Sequence, residues 1–418
     1  MTFSFPSPTL QDISVVGQMT SKTSDTIDYT LTAIAVDVAA DINNRLTALS
    51  ANPGGGRVRL SGGKGFVSSS IVIPANCSVA GRGRGATEIS ANGNFPVVIL
   101  QGNVGATTPL LKAGVLDMTI RGGGNASSNA DGVRADYTNR CYIHNVQFYS
   151  CQNAIRSSNA WMMEIDKVRI DGAGTDGSIN GIYLLENYNA TINSYDNNAH
   201  IVTNTVIQGY GTFISGVRIE NGTGSLFQNV QSMGCQYGWY VGDQPGGHSP
   251  IQFMFFNQCQ GDTSSSAGWV FSKGTSSFMS YIYMTDIWSG LSGPSDVHGG
   301  FYIVGGTQME ITGLKGAGNS YGAVISGCSR IRMHQINIHN YDRAGAGACA
   351  VLFDNTTKSS LTQGSFPNSG GVAGTHSVVS NNGSNLNVFE NITADKAILI
   401  ADASSKTLNI EVNGAWVA

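Results

Sequence analysis

Residues 132–160 read GVRADYTNRCYIHNVQFYSCQNAIRSSNA, and the order of side chains in this stretch decides the fold. It opens on Gly132, followed by the alternation Val133, Arg134, Ala135. It passes through a second apolar unit, YIHNVQF at 142–148, and returns to the first pattern at Ala154, Ile155, Arg156. Alternation with period two is the mark of a strand with one buried face.

The opening unit recurs as GIYLLEN at 181, GVRIEN at 216, GWYVGD at 238, GWVFS at 268 and GFYIV at 300. It continues as GAVIS at 322, AVLFD at 350, SVVS at 377 and AILIAD at 397, with starts 20 to 35 residues apart. A second series interleaves: LDMTI, IDKVRI, TNTVIQG, LFQNVQS, FFNQCQG, MTDIWSG, ITGLKG, RMHQINI, SLTQGSF and FENITAD, many of them carrying Asn or Gln. A repeat of this length indicates a solenoid. WD40 blades need about 40 residues and leucine-rich repeats need a leucine framework, and neither fits. Short strands, polar turns and no helix within the repeat fit a parallel β-helix of about eleven or twelve coils.

Composition agrees. Hydrophobic residues are 41% and charged residues only 12% of the 418-residue chain, which excludes disorder. Gly numbers 54 and Pro 10, which suits many turns and not a coiled coil. A net charge of −4 without a basic run argues against a nucleic-acid partner. No apolar stretch is long enough for a membrane span. The start, MTFSFPSPTLQD, lacks the basic and apolar regions of a signal peptide. The seven cysteines form no CxxC pair, so buried reduced thiols are expected, with no metal site and no cofactor.

One helix is expected. In TAIAVDVAADINNRLTALSA, Ile34, Val38, Ile42, Leu46 and Leu49 recur at helical spacing. A helix over 34–49 is placed to cap the open N-terminal edge of the solenoid. Residues 1–54 then form the leading segment and cap, and 55–418 the β-helix.

The segment ADINNRLTALSANPGGGRVRLSGGKGFVSSSIVIPANCSVAGRGRGATEI at 40–89 resembles the entry to right-handed parallel β-helices of the pectate-lyase superfamily. That group includes bacteriophage tailspike depolymerases and inulin fructotransferases. GTDGSINGIYLLEN at 174–187 is similar to the GPDG and LLAEN segment of the fructotransferases, with an insertion. The resemblance implies an all-β, right-handed single-stranded parallel β-helix, polysaccharide substrates, homotrimers and acidic catalytic residues. It implies an extracellular or virion-associated protein.

Aligned on the leading small residue, the positions two places on should point outward in one column: Arg134, Arg156, Tyr183, Arg218 and Tyr240, then Val270 and Tyr302. Tyr faces stack on sugar rings and Arg binds hydroxyls or carboxylates, so these are the candidate substrate-binding residues. Carboxylates follow at the strand ends: Asp136, Glu186, Glu220 and Asp243. Coil stacking puts equivalent positions roughly 5 Å apart, within reach of the separation that paired glycosidase carboxylates need. Glu186, Glu220 and Asp243 are therefore the candidate catalytic residues. Two long inserts border them, with Tyr188, Tyr195, Asp196 and His200 in one and His248 in the other. Trp239 and Trp269 fall at inward offsets and belong to the core. Three functions remain open: hydrolysis by paired carboxylates; a uronate lyase or intramolecular transferase using Arg218 or Arg134; and a non-catalytic glycan-binding fibre.

Overall fold

The computed structural model describes residues 26–31, 37–91, 93–123, 129–172, 179–187, 197–211, 213–242, 250–274, 278–292, 298–341, 348–368 and 376–416. The chain winds as a parallel β-helix with a 23-stranded and a 14-stranded sheet. Pairing between the described strands is parallel, apart from the terminal pair Lys406–Val412 with Ala415–Trp416. Among the described residues, no helix is long and apolar enough to cross a membrane.

Every member of the first series forms a rung of the smaller sheet, from Val133–Asn139 to Ala397–Ile400. Two earlier rungs, Ile71–Val72 and Val98–Gln101, lengthen the stack beyond the eleven or twelve expected, to thirteen along the sheet path. Neither opens on Gly or Ala, so the pattern that reveals the others is missing. The leading glycine has a steric cause. A Cβ on Gly238 would stand 2.6 Å from the carbonyl oxygen of Gly268, and one on Gly268 would collide with Ser289 Oγ.

The second series forms the larger sheet, but each unit is bent. Asn145, Asn204, Asn229, Asn391 and Asn409 have φ between 50° and 53°, and Gln258, Gln335 and Gln363 share this conformation at the equivalent corner. Asn tolerates left-handed backbone better than most residues, which explains the amides in this series. The corner is also bonded along the stack: Asn229 Nδ2 donates to Asn204 Oδ1 at 3.0 Å, and Asn204 Nδ2 to Asp166 Oδ1 at 2.9 Å.

Inward residues fill one continuous core. One section holds Trp239 and Trp269, stacked at 4.6 Å between ring centroids and in contact with Phe227, Phe256, Phe271 and Phe301. All seven cysteines are free and buried.

The cap is the helix Ala39–Ser50, which starts later than the expected 34–49. The N-cap is Val38, with no side-chain capping bond; Asp37 Oδ1 accepts the Ala39 N–H at 3.0 Å, and Ile34 lies outside the described residues. Ile42, Leu46 and Leu49 are buried against the first coil. Asn43 closes the edge of the first rung, donating to Ser70 O at 3.0 Å and accepting the Val72 N–H at 2.9 Å. On the larger sheet, a strand that the sequence pattern did not reveal, Thr26–Tyr29, covers the end by pairing with Gly56–Leu60.

If the bend at Asn229 carries its own conformational strain, Asn229→Val should lower stability by about 1–2 kcal/mol in chemical denaturation. Asn229→Gly should stay close to wild type. Equal losses in both would assign the corner to side-chain bonding instead.

Candidate functional site

The five outward side chains do form one column. Backbone register pairs Arg134 with Arg156, Arg156 with Tyr183, Tyr183 with Arg218 and Arg218 with Tyr240. The column continues through Val270 and Tyr302. Their flanking residues Val133, Ile155, Ile182, Val217 and Trp239 point inward and are fully buried. The Arg218 guanidinium lies 5.7 Å from the Tyr183 ring centroid and 5.4 Å from that of Tyr240. Cation and ring faces thus alternate along the strand direction.

Glu220 sits against this stack and is a buried carboxylate. Only 2% of its side chain is exposed. Tyr183 Oη donates to Glu220 Oε1 at 2.5 Å, Arg218 Nε to the same oxygen at 2.9 Å, and the Glu186 N–H to Oε2 at 3.2 Å. Burial raises the Glu220 pKa, and these three donors offset only part of that effect. Burial, then the adjacent Glu220 charge, pushes the Tyr183 hydroxyl up, so it is a firm proton carrier at neutral pH.

The register corrects one alignment. Leu184 pairs with Ile219, so Glu220 occupies the position of Leu185, and Glu186 that of Asn221. The extra leucine in GIYLLEN shifts the two carboxylates by one residue. Glu220 therefore reaches the main chain of Glu186, whose half-buried side chain lies beside the same strand end. Asp136 pairs with Ser158, whose Oγ donates to it at 2.6 Å, and burial raises its pKa as well.

Asp131 was passed over in the sequence because it precedes the strand. Its side chain is fully buried, accepting from Arg134 Nη2 at 2.8 Å and Asn153 Nδ2 at 2.7 Å, with Arg156 Nη1 at 3.8 Å. Asn180 extends the line, donating to Asn153 at 2.9 Å. The available signal was the Asp, Asn, Asn run three residues before the outward column. Asp131 holds two neighbouring arginines that would otherwise repel. Arg156 Nε is buried and has no hydrogen-bond partner among the described residues.

Asp243, Tyr188, Tyr195, Asp196 and His248 lie outside the described residues. His200 is a structural group: burial lowers its pKa to about 4, and its Nδ1 accepts the Met163 N–H at 3.2 Å. Trp239 and Trp269 belong to the core, as their offsets indicated. Among the described residues, no group of three or more His, Cys, Asp or Glu is placed to hold a metal.

By sequence, neither a family profile nor a curated protein matches the chain. By structure, it resembles the A-module of mannuronan C-5 epimerase AlgE6 from Azotobacter vinelandii, with a TM-score of 0.61 and 14% identity, covering 92% of this chain and 99% of that one. DFA-IIIase of Arthrobacter chlorophenolicus A6, solved in complex with GF2, gives 0.59 at 10% identity over 88% and 94% of the two chains. The tailspike protein 3 of bacteriophage CBA120 gives 0.51 at 14% identity, with 97% of this chain covering 63% of that one. At these identities the likeness establishes the parallel β-helix fold.

The pKa directions set a stability test. A raised carboxyl pKa contributes stability below the ordinary Glu range, and that contribution is lost as pH rises through the raised value. Glu220→Gln has no such loss. Its melting temperature should equal or exceed that of wild type at neutral pH, with the difference shrinking toward acid. Asp131→Asn should cost about 3 kcal/mol, because it strands two partly buried guanidiniums. A destabilised Glu220→Gln at neutral pH would show that the ion pair with Arg218 outweighs burial.

Proposed function

We propose that the chain is a carbohydrate-active enzyme that hydrolyses glycosidic bonds of a polysaccharide. The observation that carries this reading is Glu220: a buried carboxyl of raised pKa, bonded to a tyrosine that stands in an outward Arg–Tyr column. Burial favours the protonated form of this carboxyl, the form that a general acid in glycosidic cleavage needs. The fold supports the reading too, since an epimerase named for mannuronan and a glucanase solved with tetrasaccharides share it.

In this proposal the sugar chain lies along the column, its rings against Tyr183 and Tyr240 and its hydroxyls on Arg156 and Arg218. Glu220 acts through Tyr183. Once protonated, the Glu220 carboxyl turns its O–H toward Tyr183 Oη, reversing the bond that the tyrosine makes to the carboxylate; the carboxyl proton then passes to Tyr183 Oη while the tyrosine's own proton goes to the glycosidic oxygen, so the phenol never ionises. The bond from that oxygen to the anomeric carbon breaks. Glu186, with Asp243 as the other candidate, takes a proton from the water that attacks the carbon. Net addition of water yields a new reducing end and returns both carboxyl groups to their starting states after proton exchange with solvent. The raised pKa of Tyr183 disfavours that tyrosine as the base of a uronate lyase at neutral pH.

The test is product analysis by mass spectrometry on a glycan panel. New reducing ends without ultraviolet absorbance support hydrolysis. Unsaturated uronates would mark a lyase, an internal anhydride linkage a transferase, and binding without products a fibre. Glu220→Gln and Tyr183→Phe should each lower kcat by about 10²-fold or more, and together no further, because they act as one unit. Activity should fall as pH rises past the raised Glu220 value. Additive losses would refute the relay.

We also propose that the chain assembles as a homotrimer in a virion-associated or extracellular setting, which its tailspike likeness and long low-charge faces favour. Sedimentation at micromolar concentration should give three subunits.

A further inference from the structure

The larger sheet carries a second cluster, on rungs that play no part in the Glu220 site. Phe253 stacks on Tyr281 with ring centroids 5.0 Å apart and planes 4° from parallel. Phe255 stacks on Tyr283 at 5.3 Å and 11°. Each phenylalanine covers one face of its tyrosine. The next rung interrupts the ladder, because Tyr283 pairs with Glu310, and Gln308 follows Tyr281 in the same way. One rung further come Arg332, paired with Glu310, and Arg330; Lys358 lies beyond.

The missing rings leave an open cavity of about 530 Å³. Its walls are the free faces of Tyr281 and Tyr283 on one side and Arg330, Arg332 and Lys358 on the other, with Gln308 and Glu310 at its base. The walls stand two strand spacings apart, roughly 10 Å, which accommodates one saturated ring. Among the described residues, no hydrogen bond or ion pair engages the side chains of Arg330, Arg332, Lys358 or Glu310. All four are exposed. Three cations against one carboxylate, in a chain of net charge −4, is a local excess of positive charge that no other described residue neutralises.

We propose that this slot binds an anionic sugar residue, a uronic acid in a polysaccharide. The apolar face of the pyranose rests on the tyrosine rings, its carboxylate meets the guanidiniums, and Glu310 accepts a ring hydroxyl. The slot is an anchoring subsite, separate from the Arg134–Tyr240 column, which lies on the other sheet and on earlier coils. The proposal rests on the reading that the chain handles glycans, and it narrows the substrate to an acidic one.

The experiment is titration calorimetry of the whole chain with uronic-acid hexamers (galacturonate, mannuronate and hyaluronan fragments), with maltohexaose as the neutral control. Wild type should bind at least one acidic hexamer, more weakly as salt rises, and maltohexaose much less. Arg330→Ala combined with Arg332→Ala should weaken acidic binding about tenfold or more, as should Tyr283→Ala. Lys406→Ala, at an exposed cation outside both clusters, should leave it unchanged. Arg330→Lys combined with Arg332→Lys should recover part of the loss.

Wild-type affinity in the double alanine variant, no acidic hexamer bound by wild type, or equal binding of single-stranded DNA would each overturn the slot. Any of these results alongside Glu220-dependent cleavage would leave the site reading intact. Slot binding without cleavage of any glycan would refute the enzyme reading and keep the slot.

Discussion

In-register parallel hydrogen bonding between successive coils is the constraint on which everything else rests. It sets each residue about 4.8 Å from its equivalent one coil away, so a choice made in one rung is faced by the same choice in the next. Favourable repeats become ladders, as in the Trp239–Trp269 stack and the Asn204–Asn229 corner. Unfavourable repeats need an answer. Arg134 beside Arg156 is such a case, and buried Asp131 answers it by binding both.

The same constraint dictates the conformational oddities. A coil of this size must turn sharply, and it does so at fixed places in every rung. Left-handed backbone at those corners would be costly for β-branched residues, and Asn, Asp, Gln and Gly occupy most of one corner column. The ends of the stack cannot repeat, so they are built differently: Asn43 of the helix satisfies the first rung, and Thr26–Tyr29 covers the neighbouring sheet.

Two surface clusters depart from uniform ladders, and both bring aromatic and ionisable side chains together. In one, cation, ring and buried carboxyl alternate so that Glu220 is shielded from water yet linked to the surface through Tyr183. In the other, an aromatic ladder stops for a rung and resumes as guanidiniums. A solenoid makes such sites cheaply, since changing one residue per rung alters the surface without touching the core.

The parallel solenoid, eleven of the rungs of the smaller sheet and the outward Arg–Tyr column were legible in the residues alone. Period-two alternation repeated at 20 to 35 residues leaves one way to bury the apolar set. Asp131 and the exact partners of Glu220 were not. Register between rungs is set by backbone pairing across the coils, and one extra residue in GIYLLEN displaces Glu186 from Glu220 without altering the alternation. Burial of the carboxyl is likewise invisible in one dimension, because it depends on side chains from the adjacent rung closing over it. The slot beside Tyr281 and Tyr283 belongs to the same class. It exists because four rungs separate in sequence stack in order, and only the tertiary structure brings ring faces and cations to opposite sides of one space.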